Sequence, residues 1–273
     1  MKTGALVSML LLFLFVEGFA LGERTPAGCR SSSMGGASVA LSDLWSTSNN
    51  QAGTAWLQGI SAGLYVENRF LLKELMFQQI GIALSMKAGT FGLMVNRFGN
   101  NSYNELKAGL SYARKFGTHF SVGVQMNYLR IYVMDDYGTK NLFSCEIGLM
   151  YKTDQHLTIG VQLLNPIPVK ITTQPAEQLP VVICVGLSYQ FSDAFMATIE
   201  AEKGLEHKLQ FRAGAEYRFT KCFYSRLGIA TAPMSFSFGF GLAFGKIKVD
   251  MASEYHQELG FSPSVSFVYS TSK

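Results

Sequence analysis

Charged residues are scarce in this chain of 273 residues, since Asp, Glu, Lys and Arg together make up only 15%. A typical soluble domain has about 25%. Hydrophobic residues reach 48% and aromatic residues 13%, a composition that excludes a disordered chain. The formal net charge is +4, and no cluster of Lys and Arg is interleaved with aromatic residues, so we expect no nucleic-acid partner. We expect something other than water to cover part of the surface.

Long hydrophobic runs are also absent beyond the N-terminus, because no later segment approaches the ~20 apolar residues that a membrane-spanning helix needs. The one long apolar run, Ala5 to Val16, follows Lys2 and precedes the small residues of Gly18-Phe19-Ala20. This pattern predicts a secretory signal peptide over residues 1–20. Secretion without a spanning helix leaves the periplasm, the exterior or the outer membrane as compartments.

Residues with obvious site chemistry are few. Cys145 and Cys184 fall on opposite faces of their predicted strands, so a disulfide between them is disfavoured. The four histidines are scattered near predicted turns, which disfavours a metal site. Glu200 and Glu202 share a strand face, but nearby basic residues would keep both ionised, which is wrong for a general acid. We therefore predict no enzymatic activity, no catalytic residue, no metal and no cofactor.

What the chain does have is strict apolar/polar alternation. Phe120, Val122, Val124, Met126 and Tyr128 alternate with small or polar residues, as in a strand whose successive side chains point to opposite sides. About fourteen such segments are predicted, near Ile60 to Phe70, Gln78 to Lys87, Thr90 to Arg97, Asn104 to Lys115, Phe120 to Tyr132, Leu142 to Lys152, Leu157 to Leu164, Val181 to Phe191, Phe195 to Glu202, Lys208 to Phe219, Phe223 to Thr231, Ser235 to Phe244, Ile247 to Tyr255 and Pro263 to Tyr269. An even number of alternating strands predicts an all-β fold, an antiparallel transmembrane β-barrel over residues 59–273 in the outer membrane of a Gram-negative bacterium.

The connections and the aromatic residues favour the same fold. Every second connection is predicted to be a tight turn, such as Ala88-Gly89 and Gly245-Lys246, whereas the others are predicted to be longer outer loops, up to Asn165 to Pro180. Aromatic residues concentrate beside the tight turns, as in the girdle of a membrane barrel. A soluble secreted β-sandwich or adhesin, the alternative from another class, has no reason to show this parity.

Residues 21–58 lack strand alternation and are predicted to form a short N-terminal hatch inside or below the barrel. A helical stretch is expected over Ser38 to Trp45, followed by the polar run Ser46 to Gln51. Several positions predicted to face the lumen are glycine, which leaves room for such a segment: Gly63, Gly81, Gly109, Gly148, Gly160 and Gly186.

Charged residues predicted to face the lumen are the best site candidates. They are Glu67 and Arg69 on the first strand, Glu200, Glu202, Lys208, Arg212, Glu216 and Arg218 in the second half, and Asp250 and Glu254 near the end. Opposite charges on neighbouring strands stabilise each other. A neutralising network that fills the interior is the favoured interpretation, and a solute-selective lining is the alternative.

The run Gly35 to Asp43 followed by Asn49-Asn50-Gln51-Ala52-Gly53 resembles the N-terminal signature of FadL-like outer-membrane proteins. Later motifs, such as Leu164-Asn165-Pro166 and Gly214 to Arg218, resemble the PorV/PorQ branch of that superfamily. The resemblance implies a fourteen-stranded barrel with an N-terminal hatch. Its hatch motif maps onto Gly36, Asp43, Asn49, Asn50, Ala52 and Gly53, although Gln51 stands where the family usually has proline.

Two functions follow from this resemblance. The PorV/PorQ motifs and the short outer loops imply a partner in protein secretion or surface attachment of the type IX kind, with secretion-system proteins as partners. The wider FadL-like superfamily implies passive transport of hydrophobic small molecules, with a hydrophobic ligand. Both functions require outer-membrane lipid around the barrel.

Overall fold

The computed structural model describes residues 24–134, 138–153, 156–173, 176–205 and 209–272. Fourteen antiparallel strands form one closed barrel, in which each strand pairs with its neighbours along the chain and the first pairs with the last. The barrel strands are β1 Ile60–Asn68, β2 Met76–Met86, β3 Gly89–Gly99, β4 Tyr103–Phe116, β5 Phe120–Val133, β6 Gly138–Thr153, β7 Leu157–Leu164, β10 Val182–Gln190, β11 Phe195–Gly204, β12 Gln210–Arg218, β13 Phe223–Thr231, β14 Met234–Phe244, β15 Ile247–His256 and β16 Gly260–Ser270. The predicted antiparallel β-barrel of fourteen strands is confirmed, and the alternative of a β-sandwich is wrong.

Alternation along each strand separates a lipid-type outer face from the lumen. On β14, Phe236, Phe238 and Phe240 are exposed, whereas Ser235 and Ser237 are buried inside. The outer face carries exposed Leu, Ile, Val, Met and Phe on almost every strand. Such a face is stable in contact with hydrocarbon rather than with water.

Aromatic side chains contact one another beside the tight turns. Tyr189 packs edge-on against Phe191 and Tyr217 against Phe219, with ring centroids 4.8 Å apart in both pairs. These rings lie on the outer face at the end where the chain enters the barrel. This end is therefore the periplasmic one in the usual orientation of such barrels.

The outer connections are tighter than predicted. The strands continue into the expected loops, so that only residues 100–102, 232–233 and 257–259 remain as turns. The longer loops predicted over Gly99 to Tyr103 and His256 to Ser262 are therefore wrong, since both are tight turns. A few outer connections are longer and contain secondary structure of their own, among them residues 69–75 and 165–181.

The longest connection is not an irregular loop, because it contains a small hairpin, β8 Lys170–Thr173 paired with β9 Ala176–Gln178. The wall beside it is uneven: β4, β5 and β6 have 14, 14 and 16 residues, whereas β7 has 8. The inner face of the tall wall therefore rises above β7 at the outer mouth. The hairpin connection packs against that exposed inner face.

Short helices occur before β1 and after it: α1 Cys29–Ser32, α2 Ser46–Asn49 and three 3₁₀ turns, η1 Gln51–Trp56, η2 Arg69–Leu71 and η3 Lys73–Leu75. The helix predicted over Ser38 to Trp45 is wrong, since these residues form turns and α2 begins at Ser46. Arg69 lies just beyond β1 rather than on it. Across the described part of the chain, no helix is long and apolar enough to cross a membrane.

Candidate functional site

Residues 24–58, called the lumen segment here, fill the interior of the barrel. Residues of α1 pack against β14, β15 and β16, and η1 packs against β4, β5 and β6. Most of its side chains between Ala27 and Ala55 are fully buried. The predicted signal peptide lies outside the described residues.

Glycines on the inner wall let the backbone of the lumen segment approach closely. A Cβ at Gly186 would lie 2.5 Å from Cγ1 of Val39, and one at Gly160 would overlap the Val39 carbonyl. Gly63, Gly81 and Gly148 likewise face residues of the lumen segment, whereas Gly109 faces barrel side chains. A larger residue at Gly186, Gly160, Gly63 or Gly148 would push the lumen segment away, whereas a Cβ at Gly81 would lie 3.5 Å from Thr47, an ordinary contact distance. The absence of side chains at these four positions therefore shapes the site.

A first buried ionic group joins the start of the lumen segment to β11 and β12. The Arg24 guanidinium pairs with Glu200 and lies 3.1 Å from Glu202, and Arg212 Nη1 lies 3.3 and 2.8 Å from the same two carboxylates. Glu200 also accepts backbone N–H groups of Ser38 and Val39 at 2.8 and 2.7 Å. These donors compensate the loss of water around two neighbouring carboxylates.

The Cys184 thiol and the two carboxylates of this group have ligand-type atoms within 4.8 Å of one another. The Arg24 guanidinium is ion-paired to both carboxylates. It therefore supplies the positive charge that a metal ion would otherwise provide. The geometry here is that of a buried salt-bridge group.

A second ionic group joins α1 to β12, β13 and β15. Arg30 binds Glu216 through two contacts, at 2.9 Å from Nε and 2.7 Å from Nη2. Arg226, whose side chain is 0% exposed, bridges Glu216 at 2.6 Å and Asp250 at 2.7 Å. Burial lowers the pKa of Arg30, but the carboxylates of Glu216 and Asp43 outweigh it and raise that pKa above its ordinary value. Arg30 is therefore charged at every relevant pH.

A third group is built mainly from amides and surrounds one carboxylate on β6. Glu146 accepts hydrogen bonds from Gln51 at 2.7 Å, Gln162 at 3.1 Å and Asn127 at 2.9 Å, and Lys107 pairs with it at 2.5 Å. Gln51 thus links the lumen segment directly to this carboxylate. The departure from the proline of the FadL-like motif places a donor where proline has none.

Aromatic residues close the remaining side of the lumen. Trp45 packs against Tyr65 at 5.8 Å, and Tyr65 against Phe77 at 6.0 Å between ring centroids. The Arg69 guanidinium lies 5.7 Å from the Phe77 ring centroid and donates a hydrogen bond to Thr25 at 3.1 Å. Burial raises the pKa of the neighbouring Cys29 thiol to about 11, so this thiol is protonated at neutral pH and unreactive.

The residues of the predicted hatch motif stabilise the lumen segment from within. Asn49 exchanges two hydrogen bonds with the Ala27 backbone, at 2.8 and 2.9 Å. Asn50 donates to the carbonyls of Val39 and Leu149, at 2.7 and 3.2 Å, and its side chain accepts from the N–H of Ala52 at 3.2 Å. Asp43 accepts the N–H of Trp45 at 2.9 Å. These contacts cap turns, which is why short amide and carboxylate side chains occur here.

The two glycines of that motif lie at tight points. Gly36 has a φ of +78°, a conformation that residues with a side chain rarely adopt. A Cβ at Gly53 would lie 2.7 Å from the Leu41 carbonyl oxygen. Asp43 of the same motif forms an ion pair with Arg30 at 3.4 Å, and both residues belong to the lumen segment.

The predicted lumen charges divide into those that the fold brings together and those that it does not. Glu200, Glu202, Arg212, Glu216 and Asp250 belong to the two ionic groups, and Glu67 lies 3.6 Å from Arg69. Arg218 ends β12 at the periplasmic rim, Glu254 is half-buried on β15, and Lys208 lies outside the described residues.

Sequence reasoning missed Arg24, Arg30, Arg226 and Glu146. Alternation along β13 and β6 could have placed Arg226 and Glu146 on the inner face, because Gly228 and Gly148 on the same strands had the same parity. No local signal could have assigned Arg24 or Arg30, since their partners on the barrel wall are more than 160 residues away in sequence.

At the outer mouth, apolar residues form what we call the mouth cluster. Leu129 and Ile131 on the tall wall are buried against Ile171 and Leu179 of the hairpin connection, with Tyr103, Val133, Leu142 and Val169 at the edge. The Leu179 N–H donates to the Val169 carbonyl at 2.9 Å, which closes the connection over the wall. The lumen is therefore apolar at its outer entrance and polar further in.

At the opposite end, a cavity of about 340 Å³ lies between the lumen segment and the wall. Its lining includes Arg30, Leu41, Lys152, His156 and Ser188. The cavity adjoins the periplasmic turns after β6 and β10, so it lies on the far side of the lumen segment from the mouth cluster.

No protein-family model and no curated protein sequence matches this chain. Solved structures match its fold. The CymD monoaromatic hydrocarbon channel has a TM-score of 0.72 at 14% identity, covering 92% of this chain and 99% of that one. A FadL homologue of Pseudomonas aeruginosa has a TM-score of 0.71 at 12% identity, covering 92% of this chain and 100% of that one. The toluene transporter TbuX of Ralstonia pickettii has a TM-score of 0.64 at 15% identity, covering 93% of this chain and 97% of that one. At these identities the likeness establishes a shared fold.

Proposed function

We propose that this protein is a passive outer-membrane channel for small hydrophobic molecules, with the lumen segment as its hatch. The mouth cluster carries the proposal, because it places an apolar, partly covered binding surface at the outer entrance. A ligand there would replace the contacts that Ile171 and Leu179 make with the wall, and such apolar burial is the usual basis of small-molecule binding. The fold shared with hydrocarbon channels supports the same class of substrate.

The lumen segment supplies the second element of the proposal. A hydrophobic molecule that leaves the mouth cluster meets the buried ionic and amide groups, which offer it no apolar path. Passage therefore requires the lumen segment to move, and ligand binding at the mouth supplies the free energy for that movement.

The test is uptake of radiolabelled toluene by Gram-negative cells that lack their own hydrocarbon channel and express this chain. Ile131→Asp puts a charge into the mouth cluster and is expected to lower uptake on the order of tenfold, equivalent to ~1.4 kcal/mol of lost binding. Ile167→Asp is the matched control, since Ile167 lies in the hairpin connection that covers the mouth cluster but is 66% exposed. Equal uptake by the two variants, at equal amounts of heat-modifiable barrel, would refute the proposal.

A role as a partner in secretion or surface attachment is the second candidate. The tight outer turns at 100–102, 232–233 and 257–259 favour it, because they leave a low outer rim that another protein can contact. Affinity purification from native outer membranes followed by mass spectrometry distinguishes the two candidates. Stoichiometric secretion-system proteins would support the second, and bound hydrophobic molecules without protein partners the first.

A further inference from the structure

Four polar residues and one leucine form a row of paired positions across the outer face of five neighbouring strands. Gln78 on β2 pairs with Arg97 on β3, Arg97 with Leu106 on β4, Leu106 with Arg130 on β5, and Arg130 with Asn141 on β6. We call these five residues the outer row. They lie near the outer ends of their strands, on the face that meets lipid rather than the lumen.

The two arginines of the outer row differ from the arginines of the lumen. Arg97 and Arg130 are exposed, and neither pairs with a carboxylate among the described residues, whereas Arg24, Arg30, Arg212 and Arg226 each pair with at least one. Two unpaired guanidinium groups on a membrane-facing surface form a positive site that suits a phosphate.

A cavity of about 420 Å³ adjoins Arg97. It is lined by Lys73 of η3, Gln78, Asn100 and Ser102, together with Met76, Gly99 and Asn101. These side chains provide one further cation together with amide and hydroxyl donors. No carboxylate belongs to this lining; Glu74 beside Lys73 is not part of it. The cavity therefore extends the positive site with hydrogen-bond donors.

Directly below the outer row the surface becomes apolar. Ile80, Leu93, Leu110 and Met126 are exposed on β2, β3, β4 and β5, two to four residues further towards the periplasm than the outer row. The change from polar to apolar along these strands marks the boundary between headgroups and hydrocarbon. A molecule with its phosphate on the outer row would have its acyl chains against this stripe.

We propose that the outer row and its adjoining cavity bind the phosphate of a phosphorylated glycolipid in the outer leaflet. Arg97, Arg130 and Lys73 contact the phosphate, Gln78 and Asn141 donate to headgroup oxygens, and the apolar stripe holds acyl chains. The apolar stripe favours a lipid over free phosphate, because free phosphate gains no binding free energy from contact with an apolar surface. This binding is independent of the proposed transport.

The test uses native mass spectrometry of the full barrel in detergent with added diphosphorylated lipid A as the probe. Each arginine near a lipid surface is worth on the order of fivefold in binding, so Arg97→Gln with Arg130→Gln is expected to lower lipid occupancy roughly twenty-fivefold. Arg114→Gln is the matched control, because Arg114 is an exposed arginine near the periplasmic end of β4. Should the double variant assemble poorly, Lys73→Gln, a change outside the barrel strands, is expected to lower occupancy on the order of fivefold.

Three outcomes would overturn the proposal. One is equal binding of lipid A and of its dephosphorylated form, which would show that the phosphate is not recognised. Another is an equal loss on Arg114→Gln, which would show unspecific attraction by charge. The third is full displacement of lipid A by inorganic phosphate, which would assign the site to the free ion.

Discussion

The two sides of the lumen hold the lumen segment by different means. On the side of β11 to β15 the contacts are ionic, and the two groups contain five cations (Arg24, Arg30, Arg212, Arg226, Lys248) and five carboxylates (Asp43, Glu200, Glu202, Glu216, Asp250). On the side of β4 to β7 the contacts are amide and hydroxyl hydrogen bonds around Glu146, Ser121 and Trp56.

The two kinds of contact differ in the free energy that is lost when one partner is removed. Removing one member of a buried ion pair leaves an unpaired charge, at a cost of about 3–5 kcal/mol. Removing a neutral hydrogen-bond partner costs about 1–3 kcal/mol. We infer that the ionic side anchors the lumen segment and that the amide side is the one that releases first.

Deletion of Gly35 to Gly53 removes contacts on both sides and is expected to have the largest effect. The deletion removes the segment that fills the barrel against Gly160, Gly186 and Gly228, so water and ions can enter the lumen. In planar bilayers we expect the intact protein to conduct little and the deletion to conduct ions readily. An assembled deletion that conducts no more than the intact barrel would show that residues 35–53 do not close the pore.

Arg226→Met tests the ionic side. The change leaves Glu216 with Arg30 alone and Asp250 with Lys248 at 3.8 Å, so the free energy of unfolding in lipid is expected to fall by about 3–5 kcal/mol. Urea titration of the reconstituted barrel measures it. Arg218→Met at the end of β12 is the control, with an expected change within about 0.5 kcal/mol. Adding Asp250→Asn to Arg226→Met should restore part of the loss, and no recovery would contradict the ionic interpretation.

Phe238→Arg and Ser237→Arg separate the two faces of one strand on the ionic side. Arginine at Phe238 faces lipid and is expected to destabilise the barrel by about 2–4 kcal/mol, visible as a lower assembly yield. Ser237 faces the lumen, where its hydroxyl accepts the Gly35 N–H at 2.7 Å. Ser237→Arg is therefore expected to displace the lumen segment and raise conductance while the barrel assembles. Equal assembly yields for the two variants would contradict the face assignment.

Gln51→Ala tests the amide side and should have the smallest effect. It removes the donor to Glu146 at 2.7 Å, while Gln162, Asn127 and Lys107 continue to contact that carboxylate. We expect a loss of about 1–3 kcal/mol in unfolding free energy, together with brief openings in single-channel records. A loss as large as that of Arg226→Met would remove the distinction between the two sides.

The sequence by itself determined the wall of this protein. Alternation predicted the positions of strands such as β7 and β13, the number of strands and the apolar outer face. It could do so because a period of two residues is a local property that is visible in any window of ten residues. Glycine positions on the inner face followed from the same parity, and so did the polar side of β11 that carries Glu200 and Glu202.

Only the tertiary structure decided what fills the lumen. Arg24 meets Glu200, and Gln51 meets Glu146, across the interior and between segments far apart in the chain, and no local pattern encodes such a meeting. The turns that replace the predicted helix over Ser38 to Trp45 are also a tertiary result, since the wall glycines fix how closely the backbone passes. Barrel closure sets the distance between opposite walls, and that distance determines which side chains can reach one another.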